Sequence, residues 1–248
     1  MCLILFSISP DPRHRLVVAA NRDEFYARPT ERPAFWDDAP HILGGRDLQA
    51  GGTWLGVTSS GRFAAVTNFR ETPSNPLPPR SRGALTADFL RSNESCASYL
   101  ARIAPISAEF RGFNLLIDDG RDIYYYSNRQ PRGRRLEPGF YGLSNQLLDC
   151  NWPKVSQGRK QLRIIGEQGF DTESLFELLA DEGNQEPFSA GFIQSDAYGT
   201  SASTVVKISN SSNIEFEERA FLPLGQKAGR RQFTFPVILP NPPAAVES

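Results

Sequence analysis

The 248-residue chain is poor in the groups that most often carry enzyme chemistry. It has two histidines, His14 and His41, and three widely spaced cysteines. Neither histidine has a partner at metal-ligand spacing, which argues against a zinc site. Three scattered cysteines build no disulfide framework. No apolar run approaches 18 residues, so no membrane-spanning helix is expected. The first apolar stretch, "LILFSI", is too short for a secretory signal and lacks a basic flank, which points to a cytoplasmic protein without stable membrane insertion. Net charge is −1, from 27 basic and 28 acidic residues. That balance supplies no general pull toward nucleic acid. The local basic clusters "RQPRGRR" (129–135) and "GRRQF" (229–233) sit beside Pro or Gly and read as solvated loops. No Gly-rich phosphate loop follows a strand, and no internal repeat is present.

What is present is a cysteine directly after the initiator methionine, in "MCLILF". The plain reading is a small core residue. The chemical reading is that Met1 is trimmed, as is usual before a small residue, so that Cys2 carries both a thiol and the chain's α-amine. An α-amine titrates near 7.7–8.0 and a free thiol near 8.5. The amine is therefore partly neutral near pH 7 and can take the thiol's proton, directly or through water. One residue then supplies nucleophile and base, and no histidine is needed.

The surrounding pattern supports such a site. Residues 2–9 read as a strand, 10–15 as a turn, and "LVVAANRD" (16–23) as a returning strand. This hairpin brings Asn21 to Asp23 beside Cys2. Asp23 is then placed to hold the α-amine, with Asn21 as a second orienting group. Acyl transfer also needs a donor for the developing oxyanion. Asn68, at the end of "RFAAVTN", is the candidate, and Asn145 in "GLSN" is a second amide in a similar position. For each the plain alternative is a turn or cap residue.

Further on, helix periodicity marks 85–93, 94–103, 152–167 and 172–183, with Pro153 at a helix start. Hairpins are expected around 113–128 and 202–222, and a loop over 25–38. Cys96 in a helix and Cys150 in a turn read as inert. Phe25, Tyr26, Phe35 and Trp36 are candidates for an apolar pocket or for core. The glycines of "AGGTW" (50–54) permit either close backbone approach to a ligand or a tight turn. Hairpin-paired strands with helices between them predict one α+β domain over residues 1–240, with antiparallel sheets covered by helices. The tail 241–248 is expected to be disordered.

Two resemblances sharpen this reading. The segments "MCLILF", "AANRDEFYARPT", "GGRDLQAGGTWLGVTSSGRFAAVTNFRE", "RSRG", "YGLSN" and "YGTSASTVV" resemble the NRDE family, also called the transport and Golgi organisation protein 2 family. The order of features also resembles the cysteine N-terminal nucleophile hydrolases, such as penicillin V acylase and bile salt hydrolase. That second likeness implies a four-layer αββα sandwich of two antiparallel sheets. It implies Cys2 as nucleophile, Asp23 holding the α-amine, Asn68 in the oxyanion hole and Asn145 positioning substrate or amine. The expected activity is hydrolysis of a small amide at its C–N bond, with no cofactor required.

The chain departs from the acylase pattern at Ala20, where an arginine is expected. It also departs at Ser201, where relatives often carry one. Arg22, two places from Ala20 and on the same strand face, is the candidate replacement. The NRDE resemblance also implies an alternative: a non-enzymatic haem-binding or haem-trafficking factor, with Cys2, His14 or His41 as possible axial ligands. Nothing in the sequence sets an oligomeric state.

Overall fold

Along the first strand the side chains alternate between two different cores. Ile4, Phe6 and Ile8 enter one cluster, while Leu3 and Leu5 enter another. Both faces of this strand are therefore buried, which a strand's two-residue period permits only in a layered protein. The protein is described by a computed structural model covering residues 2–71, 80–130 and 132–238. The expected disordered tail 241–248 lies outside these described residues, as does most of the proline-rich stretch 71–82.

The strands in chain order are β1 (Cys2–Ile8), β2 (His14–Phe25), β3 (Thr30–Trp36), β4 (Ala39–Asp47), β5 (Leu55–Thr58), β6 (Phe63–Asn68), β7 (Phe113–Asp118), β8 (Ile123–Ser127), β9 (Arg134–Arg135), β10 (Gly139–Leu143), β11 (Tyr198–Ser209), β12 (Asn213–Phe221) and β13 (Lys227–Pro236). The helices are α1 (Gly83–Arg91), α2 (Cys96–Ile103), α3 (Pro153–Gln168) and α4 (Thr172–Leu179). One sheet runs β10-β1-β2-β11-β12-β13, the other β3-β4-β5-β6-β7-β8-β9, and the strand pairs in both are antiparallel.

Three cores give the layer order. Between the sheets lie Phe6, Val18, Leu43, Phe63, Leu116 and Val206, among others. Outside the second sheet, Phe89, Tyr99 and Leu100 of α1 and α2 pack on Ala64 and Leu115. Outside the first sheet, Val155, Leu162 and Leu175 of α3 and α4 pack on Leu3, Leu5, Val17 and Ala19. The result is helix, sheet, sheet, helix: the expected αββα sandwich.

Two segments expected to be loops are strands. Residues 30–36 form β3, although Pro33 interrupts the pattern. The strand lies at a sheet edge, where a missing N–H is tolerated, and its register slips between Glu31 and Ala34. Residues 227–236 form β13, the opposite edge of the other sheet, paired along β12. Its basic cluster, Arg230 and Arg231, is exposed on that edge, as expected of charges that discourage edge-to-edge pairing. Phe233 and Phe235 point back toward Phe35, which explains the position of that aromatic. Of the "RQPRGRR" cluster, Arg129 and Gln130 follow β8 in a turn, and Arg134 and Arg135 form the two-residue strand β9 at the far edge.

Candidate active site

The β1–β2 hairpin sets the geometry. Its register opposes Cys2 to Arg22 and Leu3 to Asn21. Even-numbered residues of β2 face the other sheet, so Arg22 shares a face with Ala20 and Val18, on the side of the inter-sheet core. Val17 and Ala19 face the helices, and Asn21 and Asp23 continue that row.

Cys2 is 8% exposed and lines a cleft between the ends of the two sheets. Its main-chain nitrogen donates to Oδ1 of Asn145 at 3.0 Å. Its carbonyl accepts from Ser144 Oγ at 2.7 Å. Asn145 in turn donates through Nδ2 to the Asn68 carbonyl at 2.8 Å. One amide thus ties the start of β1 to the end of β6, across the two sheets. Asn145 is held by its own neighbours: Arg70 N donates to its carbonyl at 2.8 Å, and Thr67 Oγ1 to the carbonyl of Ser144 at 2.6 Å.

Asn68 is exposed and lines the same cleft as Cys2. Its side-chain amide makes no hydrogen bond among the described residues, so it is open to a ligand oxygen. Arg22 lines the cleft too. Its Nη1 donates to Ser201 Oγ at 3.1 Å, and Ser201 Oγ donates to the Arg22 carbonyl. Arg22 and Ser201 therefore hold one another at the cleft. The serine that stands in place of an arginine orients the arginine that stands two places beyond Ala20.

Asp23 is buried, and its Oδ1 accepts from Thr200 Oγ1 at 2.7 Å. Burial pushes its carboxyl up to about 6, against the pull of the amino-terminal charge, of Lys154 and of the Thr200 bond. Asn21 lies elsewhere. Its Nδ2 donates to the carbonyls of Leu179 and Gly191 at 2.7 and 2.9 Å, and its Oδ1 accepts from Ser203. Every polar atom of Asn21 is spent on scaffold, so it orients the site only by fixing β2 against α4.

The Cys2 thiol is raised above its ordinary value, first by burial. The Asp23 carboxylate adds to the rise, and the amino-terminal charge, the Asp23 backbone N–H and Arg22 oppose it. At rest the group is a thiol, not a thiolate, and attack requires a base at hand. Cys96 and Cys150 are also raised by burial, and neither lines this cleft.

Three residues at or near the site carry no site signal of their own in the sequence. Thr200 fixes Asp23. Lys154, in the first turn of α3, is 2% exposed, and its Nζ has no hydrogen-bond partner among the described residues. Burial lowers its pKa, while Asp23, Cys2 and Cys150 favour its charged form. Arg82, immediately before α1, lines the cleft with Cys2. Thr200 and Arg82 lie in the quoted segments "YGTSASTVV" and "RSRG"; Lys154 had no signal beyond its place after Pro153.

The two glycines of "AGGTW" are explained by backbone contact at Gly52 and backbone conformation at Gly51. A Cβ on Gly52 would lie 2.4 Å from the carbonyl carbon of Gly83. Gly51 takes φ +73°, which favours glycine. Gly52 docks the start of α1 against the cleft wall, and Gly51 serves the turn before it. A second cleft adjoins the first, sharing Arg22, Arg28, Thr30, Gly45 and Trp54 with it. Phe25, Tyr26, Phe221 and Leu222 line that second cleft. Trp36 instead belongs to the core under α1 and α2.

His14 bonds Asp11 at the hairpin turn, and His41 is exposed on β4. Neither lines the Cys2 cleft. Among the described residues no group of three metal-ligating side chains converges, and no helix is long and apolar enough to cross a membrane.

Residues 1–223 match the family described as Transport and Golgi organisation 2. Similar curated proteins include the Transport and Golgi organization 2 homolog of Mus musculus, 33% identical over 90% of this chain and 94% of that protein. The Homo sapiens homolog is 33% identical with the same coverage, and the Drosophila melanogaster protein is 30% identical over 89% of this chain and 84% of its own length. Among solved structures, the N-acylethanolamine-hydrolyzing acid amidase ortholog of Caenorhabditis elegans aligns with a TM-score of 0.52 at 13% identity. It covers 83% of this chain and 92% of its own. A variant of the conjugated bile acid hydrolase of Clostridium perfringens aligns with a TM-score of 0.53 at 7% identity, over 94% of this chain and 92% of its own. At these identities the likeness establishes the fold alone, which the chain shares with these two solved structures.

Proposed function

The chain belongs to the Transport and Golgi organisation 2 family, a name that specifies no reaction, and from its site we propose that it is an N-terminal nucleophile amidohydrolase acting through Cys2. The observation that carries this reading is the nitrogen of Cys2 held 3.0 Å from Asn145 Oδ1. Once Met1 is removed, that nitrogen is the α-amine, already oriented beside the thiol of its own residue.

The reaction follows from that placement. The neutral α-amine takes the thiol proton as sulfur attacks the amide carbonyl, forming the S–C bond. The carbonyl oxygen gains charge and is met by the unengaged amide of Asn68. The ammonium returns its proton to the leaving nitrogen as the C–N bond breaks, leaving a Cys2 thioester and a free amine. Water then attacks the thioester, the amine takes its proton, and the C–S bond breaks to release a carboxylic acid and restore the thiol. Asp23 and Asn145 hold the amine; Arg22 favours the thiolate.

The lining favours a polar amide over haem. Arg22, Asp23, Glu24, Arg28, Asp47 and Arg82 all face the cleft, whereas a porphyrin face needs an apolar slot. The adjoining aromatic cleft suits an apolar arm of a small substrate. The test is release of p-nitroaniline from a panel of N-acyl p-nitroanilides. Release by the parent and none by Cys2→Ala is expected; a Cys2→Ala protein as active as the parent contradicts the proposal.

A further inference from the structure

The cleft around Cys2 is lined by three arginines whose charges are differently satisfied. Arg28 lies 2.5 Å from Asp47 Oδ2 and 4.0 Å from Glu24 Oε2. Arg22 lies 3.9 Å from Glu24 and bonds Ser201. Arg82 has no carboxylate within 4.0 Å among the described residues. Its side chain makes one hydrogen bond there, from Nη1 to the Gly112 carbonyl at 3.3 Å. A guanidinium has five N–H donors in a fixed fork, so most of its capacity is unspent.

Its position is built. Thr53 N donates to the Gly83 carbonyl at 3.2 Å, and the Gly52 backbone is pressed against Gly83. These contacts fix the corner at residues 82 and 83 against the cleft wall. The charged groups felt by Arg82 are Cys2, Glu24 and Glu71, of opposite or potentially opposite sign, and Arg111, of like sign. It is a desolvated cation beside the nucleophile with a repelling neighbour and, among the described residues, no ion-pair partner of its own. Planar paired donors in such surroundings match a carboxylate.

We propose that Arg82 is the anion anchor of this cleft and that the substrate is an amide that also carries a carboxylate or an equivalent anion. This rests on the Cys2 hydrolase reading and names its substrate class. Arg82 is a specificity residue here and the thiol chemistry does not pass through it.

Iodoacetate and iodoacetamide test this without a known substrate. Each alkylates a thiolate in the same way: the S–C bond forms, iodide leaves, and the thiol proton goes to the base. They differ in carrying a carboxylate or a neutral amide. The ratio of their rates at Cys2, read by peptide mass spectrometry, is expected to fall about tenfold in Arg82→Gln, as for loss of a charged hydrogen bond. Arg82→Lys is expected to keep part of the preference, and melting curves check that both variants fold. An unchanged ratio in folded Arg82→Gln overturns the proposal. A second measurement needs no variant. N-acetylglycine is expected to protect Cys2 of the parent against iodoacetamide better than N-acetylglycinamide does, and equal protection overturns the proposal too. If neither reagent labels Cys2 in the parent, the nucleophile reading itself fails, a result distinct from either.

Discussion

The main-chain nitrogen of Cys2 and the side-chain oxygen of Asn145 lie 3.0 Å apart, although 143 positions separate them in the chain. The same asparagine donates to the Asn68 carbonyl, so it joins the start of β1 to the end of β6. Asn145→Ala leaves a buried N–H and a carbonyl without partners. A loss of about 3 kcal/mol in unfolding free energy is expected by chemical denaturation, at 1–3 kcal/mol per orphaned group. Cys2 alkylation is expected to slow by about tenfold or more, because the amine is no longer oriented. A stable variant with parental labelling would show the bond to be incidental.

Lys154 carries a stability–reactivity trade. Its ammonium is buried with no hydrogen-bond partner among the described residues. Lys154→Met removes that cost and is expected to raise stability by about 1–3 kcal/mol. It also removes a charge that lowers the Asp23 carboxyl and favours an ionised Cys2. The pH profile of Cys2 alkylation is therefore expected to move to higher pH. A variant that is more stable with an unmoved profile would make Lys154 purely structural.

Glu218 gives a pH signature of the fold. It is buried at the β11–β12 pair, where Thr204 Oγ1 donates to it at 3.2 Å, and burial raises it from 4.5 to about 7. A carboxyl raised in the folded state binds its proton more tightly there than when unfolded. Its contribution to stability is full below about pH 4.5 and is lost as pH rises through about 7. At 1.36 kcal/mol per pKa unit the loss is on the order of 3 kcal/mol. Asp23, raised to about 6, acts in the same direction over a lower window. Glu218→Gln is expected to flatten the fall in melting temperature between pH 5 and 8. A parent and variant with parallel pH curves would refute this assignment.

Much of the site was legible because it is local. The β1–β2 hairpin follows from a turn between two apolar runs, and it delivers Asp23 to Cys2 without long-range information. Asn68 and Asn145 stand out as amides ending apolar strands. The face of each residue was harder to read. Asn21 and Arg22 are adjacent, yet one lies on the helix side and the other on the cleft side, and only the register with β1 and the packing of α4 settle which. Thr200, Lys154 and Arg82 come from three distant segments, and no local periodicity announces such a meeting. The sequence alone marks β3 and β13 as loops, because Pro33 and the basic cluster 229–233 are turn and solvent signals that edge strands also tolerate.

Gly52 has a packing role that one substitution measures. A Cβ there would meet Gly83 backbone atoms at 2.4 and 2.5 Å, which no flexible side chain can relieve. Gly52→Ala is expected to cost about 3 kcal/mol or more, at the upper end of overpacking penalties. Gly120→Ala is the control: its added Cβ meets nothing within 4 Å, so its cost comes from φ +90° alone. A Gly52 variant no less stable than this control would mean that the α1 start is not docked on residue 52.

The most direct measurement is intact mass, followed by brief alkylation near pH 7 with peptide mapping. Cys2 is 8% exposed and Cys150 is half-buried, so a passive Cys2 would label more slowly than Cys150. A mass without Met1, and Cys2 labelled much faster than Cys150 and Cys96, is expected. A mass that retains Met1, or a Cys2 slower than Cys150, would contradict self-activated catalysis at this position.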